Sequence, residues 1–273
     1  MKRLVALWTA FVVVALYLPV LCGALASLGQ SRYFRFPIAQ WSTVWWQRTL
    51  DSIEIGMLVR TSLAIAALVT VIAVVLGFFG ALAFARYDWT GRRLYQKVLL
   101  LPIFFPQPVL GLALLLWFSA LGLELSWQTA VVAHLVWIVP VVTLVISIQV
   151  YGFDASLEEA AADMGASRTM ILREVTLPLL WPGIWSGALF AFLLSWGNFP
   201  LSLYTTGADS TVPEWLYAKM VAGYTPMVPT LGTLATLAAA TALVLGGGIL
   251  ALLRRRRGAT AVADATETVV STT

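Results

Sequence analysis

One cysteine and one histidine are all that this 273-residue chain offers to several common chemistries. Cys22 has no second cysteine to pair with, which excludes an internal disulfide. Cys22 and His134 are too small a set for a metal cluster, which gathers several Cys, His or carboxylate ligands. No phosphate-cradling G-x-x-x-x-G-K-[ST] run occurs, so nucleotide hydrolysis is not expected of this chain. Charged residues make up only 11%, against about a quarter in an ordinary soluble domain. The net charge of +4 does not point to nucleic acid, because the basic residues stand at the ends of apolar blocks.

What fills the chain instead is apolar: 60% of residues are hydrophobic, and the mean hydropathy is +0.88. The apolar residues come in blocks long enough to cross ~30 Å of hydrocarbon, which takes about 20 helical residues. Six blocks read as spans: 4–28, 57–85, 98–121, 127–150, 183–204 and 228–253. Backbone groups in lipid must be satisfied internally, so each span is expected to be a helix and the fold class all-α. Lys2 and Arg3, the first apolar run and Ala24-Leu25-Ala26 imitate a cleavable signal peptide, but the run is too long for one and is expected to be retained. Cys22 reads as a lipid-facing structural residue. Residues 1–257 are expected to form one domain. Arg254 to Arg257 read as an anchor at the lipid headgroups, and the small, polar tail 258–273 as disordered.

Orientation follows from Lys and Arg in the flanks. With six spans both termini share one side. That side carries Lys2, Arg3, Arg86, Arg92, Arg93, Lys97, Arg168, Arg173 and Arg254 to Arg257, twelve in all. The other side carries Arg32, Arg35, Arg48, Arg60 and Lys219, five in all. The bias places both termini and the loop 151–182 in the cytosol.

That loop is the most distinctive segment. Ser156 followed by Glu159 reads as a capping box, which predicts a helix from Leu157. Ala160, Ala161 and Ala162 favour helix and add almost no bulk. Gly165 suits a left-handed cap. Ser167 can cap a second helix to about Thr176, which Pro178 and Pro182 are expected to stop. A smooth, exposed helix bearing Glu159 suits a partner groove with an arginine. The plainer reading is a well-capped loop in which Glu159 serves only backbone donors.

Inside the membrane, broken helices and polar side chains mark solute paths. Pro102, Pro106 and Pro108 surround Gln107 early in the third block, and Pro140 lies within the fourth. The fifth carries Ser195-Trp196-Gly197-Asn198-Phe199-Pro200. Gln107, His134, Gln149, Ser195 and Asn198 are therefore candidates for lining a path, Asn198 above all because Gly197 and Pro200 break the helix around it. Each could equally be an interhelical hydrogen bond, and His134 a satisfied interior histidine. Trp41, Trp45, Trp46, Trp127 and Trp215 read as an interfacial belt or as a docking surface. Pro213 suits a helix start within 208–225. Glu124 is expected at the outer membrane edge.

The loop resembles the "EAA" segment of permease subunits in binding-protein-dependent ABC importers. The pattern is E-A-A, three residues, Gly, nine residues, then I/V-x-L-P, and Glu159, Ala160, Ala161, Gly165, Val175, Leu177 and Pro178 meet it at every element. The resemblance extends over most of the chain and implies a MetI-like fold. The run 194–199, then Thr206-Gly207, Val212-Pro213 and Leu216-Tyr217, resembles the second permease of spermidine/putrescine importers, although Gly197-Asn198 stands where that subgroup often has an acidic pair. The resemblance implies a non-catalytic subunit in the bacterial inner membrane, forming half of a solute path. Its implied partners are a cytosolic ATPase pair holding ATP and Mg, a second permease and an extracytoplasmic binding protein. No cofactor is implied on this chain, and Glu159, Ala160, Ala161 and Gly165 are the implied ATPase contacts. A stand-alone secondary transporter or channel would call for charged coupling residues inside the spans, and these are scarce. An intramembrane enzyme would need a Ser/His, paired-carboxylate or metal constellation, which His134 alone does not supply.

Overall fold

The computed structural model describes residues 1–33, 37–241 and 244–248. Among them the regular structure is helical, with one isolated bridge between Gly29 and Trp41. The basic cluster Arg254 to Arg257 and the tail 258–273 lie outside the described residues, as does the end of the sixth block. The helices are α1 (Lys2–Ser27), α2 (Val44–Leu50), α3 (Ile53–Ala81), α4 (Arg92–Phe104), α5 (Gln107–Ala120), α6 (Trp127–Tyr151), α7 (Ser156–Asp163), α8 (Arg168–Ile171), α9 (Leu177–Trp196), α10 (Ser202–Thr205) and α11 (Val212–Ala222). The last, α12, covers Met227–Gly248. Five helical stretches are long and apolar enough to cross a membrane, and α4 with α5 make a sixth, bent by 104°.

Three of the expected spans change shape. The block 98–121 is not one straight helix. Pro106 forces Phe105 into extended backbone (φ −80°, ψ 135°), because the proline ring excludes the α conformation one residue earlier. The block 57–85 lengthens to Ile53–Arg86, 34 residues. Ser52 caps it by accepting the Ile55 N–H at 3.4 Å, and a π turn over Leu82–Arg86 ends it. The block 183–204 shifts earlier. Its helix runs from Arg168 to Trp196, 29 residues, so Pro178 and Pro182 do not stop the second loop helix. A π turn over Leu172–Thr176 intervenes. Pro178 then falls in the first turn of α9, directly after that π turn, and the helix continues through it. The expected break at Gly197 therefore lies at the end of this span rather than in its middle.

The core is built by α3, α6 and α9, with Ile65, Val69, Ala73, Ile138, Val142, Ile146, Leu180, Ile184 and Ala191 all buried. Lipid gives little hydrophobic drive for helix pairing, so close approach over small residues does the work. A Cβ on Gly77 would sit 2.7 Å from Val142 Cγ1, and one on Gly183 2.8 Å from Gln149 Cβ. Helix α1 is the opposite case, since no residue of its apolar window is buried. Cys22 on it is exposed.

At the end of the bundle carrying the α3 N-terminus, polar groups knit the short helices together. A capping box joins Thr211 to Glu214, with Pro213 in the first turn of α11. The Val212 N–H donates to Ser62 Oγ at 2.9 Å. Trp215 Nε1 donates to Glu54 Oε1 at 2.8 Å. Trp215 is thus buried, whereas Trp41 is exposed.

Candidate coupling helix and intramembrane polar site

The segment Ser156–Asp163 folds as the short helix α7, but its cap differs from the expected box. Ser156 is the first helical residue rather than the cap. Its N–H donates to Asp154 Oδ1 at 3.0 Å. That bond, a second from the Ser156 side chain and the nearby Arg86 charge together hold the Asp154 carboxyl below the usual carboxylate range. The Glu159 carboxylate is consequently not folded back on the backbone. It is exposed and has no hydrogen-bond or ion-pair partner among the described residues. Ala160 beside it is also exposed, while Ala161 turns inward and is 7% exposed.

Helix α7 ends in a Schellman turn. The Ala166 N–H donates to Ala161 O at 3.0 Å and the Gly165 N–H to Ala162 O at 2.9 Å. Gly165 takes φ +85°, a conformation that glycine enters without the Cβ clash other residues suffer. A Cβ there would meet nothing within 4 Å. The constraint on Gly165 is therefore backbone conformation alone.

The neighbouring acid behaves differently, and nothing in the sequence distinguishes it from Glu159. Glu158 Oε2 accepts from Arg86 Nη2 at 2.7 Å and from Arg86 Nε at 3.1 Å. Glu158 Oε1 accepts from Thr176 Oγ1 at 2.5 Å. The Arg86 guanidinium also lies over the Phe153 ring, 5.4 Å from its centroid. Successive helical residues point about 100° apart, so one of two adjacent glutamates turns to the bundle and one away. Only the positions of α3 and α9 decide which.

In the bundle, three of the five candidate path residues meet. His134 Nδ1 lies 2.9 Å from Ser195 Oγ and His134 Nε2 3.0 Å from Ser202 Oγ. Ser202 gives its proton to Asn198 O at 2.8 Å, so it accepts from Nε2–H, and Nδ1 accepts from Ser195. The pattern is that of a neutral imidazole. Asn198 Oδ1 accepts the Leu201 N–H at 3.0 Å, a cap-like bond that closes the turn leading into α10, whose own N-cap residue is Leu201. His134, Ser195 and Asn198 are 0%, 4% and 5% exposed. Within this chain His134 is satisfied by Ser195 and Ser202, and all three candidates are nearly covered by its own helices. Gln107 is not part of the cluster. It is half-buried at the start of α5, beside the 104° bend. Gln149 lays its stem against Gly183. Ser202 was not singled out by sequence. Its spacing of four from Asn198 across a Pro200 turn is the signal that could have found it.

At the opposite end, a cavity of about 710 Å³ is lined by Glu54, Arg60, Trp127, Asp209 and Trp215, among others. Asp209 Oδ2 accepts the Trp127 N–H at 3.0 Å.

A broken third span, a short helix between the fourth and fifth spans and an all-α bundle define a membrane-embedded permease component. Residues 73–258 match the family described as "Binding-protein-dependent transport system inner membrane component", and the chain belongs to that family. It is 30% identical over 227 residues to the spermidine/putrescine transport system permease protein PotC of Haemophilus influenzae, covering 82% of this chain and 88% of that one. It is 31% identical over 227 residues to the putrescine transport system permease protein PotI of Escherichia coli, covering 80% of each. Among solved structures, it aligns with a bacterial ABC transporter involved in import of the acidic polysaccharide alginate at a TM-score of 0.70 and 13% identity, over 91% of this chain and 94% of that one. This last likeness is one of fold.

Proposed function

We propose that this chain is one of two permease subunits of an inner-membrane importer for polyamines or similarly small organic cations, driven by a separate ATPase pair and fed by an extracytoplasmic binding protein. The observation that carries the reading is the state of α7. It presents an exposed, partnerless Glu159 carboxylate and the small Ala160 on a helix whose far end is fixed by Gly165. A short helix of this kind admits a partner groove close to its backbone and offers a carboxylate to a basic side chain. Glu159, Ala160, Ala161 and Gly165 are the residues assigned to ATPase contact. Ala161 serves from the inner face, seating the helix. With α7 in the cytosol, both termini lie there too, in agreement with the bias of Lys and Arg.

ATP and Mg belong to the partner on this reading, and this chain transports without catalysing a reaction. The polyamine assignment comes from the names of the two relatives. The Glu54–Asp209 cavity is compatible with it, since carboxylates beside the indoles of Trp127 and Trp215 suit an ammonium group. Arg60 on the same wall offsets one of the two charges. The proposed path residues are Gln107, at the bend of the third span, and His134, Ser195 and Asn198, the buried trio that holds the shape of the break after the fifth.

The test is co-expression with the candidate ATPase and second permease, followed by uptake of labelled putrescine, spermidine, molybdate and a neutral sugar into proteoliposomes with binding protein present. ATP-dependent accumulation of the amines alone supports the reading. Purification without an ATPase subunit, or uptake driven by an ion gradient without ATP, overturns it.

A further inference from the structure

Both π turns of this fold end on the same carboxylate. The first, Leu82–Arg86, closes the α3 span and ends in Arg86. The second, Leu172–Thr176, precedes α9 and ends in Thr176. Glu158 of α7 joins them, taking Arg86 on one oxygen and Thr176 on the other. The Arg86 and Glu158 side chains are only 19% and 16% exposed, so a protein docking on Glu159 would not reach them.

We propose that Arg86, Glu158 and Thr176 form a latch that makes α7 move as one body with the inner ends of both spans. Helix α7 has eight residues and buries only Ala161, so apolar packing alone holds it weakly. A charge-assisted bond from a planar guanidinium fixes orientation as well as distance. π turns carry an extra residue per turn and are frequent at functional sites. The latch therefore grips the two spans at their irregular turns, where a displacement of α7 can be passed on. The three are positioning residues: they touch neither solute nor nucleotide. The inference rests on the reading that α7 docks on the ATPase.

The experiment uses the complete complex in nanodiscs, in a Cys22→Ser background, with spin labels on Tyr87→Cys and Asp163→Cys. Distances are taken with and without ATP–vanadate, and putrescine uptake is measured per assembled complex. The unaltered latch should give one narrow distance in both states. Arg86→Glu and Glu158→Arg singly should each add a longer population and lower uptake per complex by roughly tenfold or more, the loss expected of a bond to a charged group. Combining the two should restore the single distance and most of the uptake. Arg86→Lys, which keeps the charge without the fork, should fall between. One narrow distance in the single variants, a combined variant no better than its parents, or uptake that falls only in step with assembly would each overturn the latch. Glu159→Lys serves as the control on docking. If it leaves ATPase association intact, the docking reading fails. If the unaltered complex takes up no putrescine, the amine assignment fails. In either case the distances between positions 87 and 163 still decide the latch.

Discussion

Two polar assemblies lie at opposite ends of the α9 span, and they are built from different chemistry. Where α9 ends, far from α7, His134, Ser195, Ser202 and Asn198 use only neutral groups, and each bond has its donor and its acceptor. At the α7 end, Arg86 and Glu158 are ionised partners that keep some contact with water, while Glu159 is left open. The difference follows the cost of charge. An ion in a dry interior forfeits several kcal/mol of hydration, often more than its partner returns, whereas a hydroxyl or amide needs only one good partner. The bundle thus uses neutral bonds where the cluster is covered and keeps its ions where water still reaches them.

The strongest way to break this contrast is to reverse the open charge. Glu159→Lys should replace an attraction with a repulsion at the proposed ATPase contact, weakening it by roughly 2–5 kcal/mol. The spans should remain inserted. Co-purification of the ATPase with the variant at unaltered yield would show that Glu159 is an ordinary solvated acid.

The closed assembly should respond in the opposite manner, losing stability rather than association. His134→Leu leaves the Ser195 proton without its acceptor and Ser202 without its second partner. An unmet buried polar group costs about 1–3 kcal/mol, which should appear as a lower unfolding midpoint in detergent. His134→Asn, which can meet one hydroxyl, should recover part of it. An unchanged midpoint in His134→Leu would mean that water reaches the cluster.

Gly165 lies between these extremes, because it touches nothing yet fixes the exit of α7. Gly165→Val forces a branched side chain to φ +85°, at a cost of about 1–2 kcal/mol. The outcome to look for is weakened ATPase association with the unfolding midpoint of the spans preserved. Association as strong as in the parent would place the functional turn elsewhere.

Much of this architecture could be read from the chain. The α6 span is a 25-residue helix within a residue of its expected limits, because its apolar run is unbroken and Ser126 with Thr129 caps it. Gly165 was legible from the need for a left-handed residue after an Ala-rich helix. Pro178 misled, since a proline that ends one helix and a proline in the first turn of the next look alike until the π turn before it is seen. Glu158 was hidden behind Glu159, for adjacent acids differ only in which way the bundle lies. The His134 cluster was hidden for a related reason: its partners are 61 and 68 residues away, and periodicity says nothing about which polar residues of two helices meet.

The smallest effect, and the one that separates path from scaffold most sharply, belongs to Asn198. Its side-chain oxygen accepts the Leu201 N–H and its carbonyl accepts the Ser202 hydroxyl, so it opens the turn that carries Ser202 to His134. Loss of a capping bond costs typically ~1 kcal/mol. Asn198→Leu should therefore lower the unfolding midpoint slightly, and any loss of uptake should follow from a displaced Ser202. Asn198→Asp keeps an acceptor at the same place. If Asn198 serves only as a cap in a dry cluster, the Asp variant should lower the unfolding midpoint, because the buried carboxylate has no cation beside it, and transport amines and neutral solutes in the parent's ratio. If the second permease opens a solvated path beside it, the added carboxylate should shift that ratio toward amines. Competition uptake of putrescine against a neutral solute, measured for the parent and Asn198→Asp in the same vesicles, reads the difference directly. An unshifted ratio leaves Asn198 in the scaffold with His134, and a shifted one brings the buried cluster to the edge of the path.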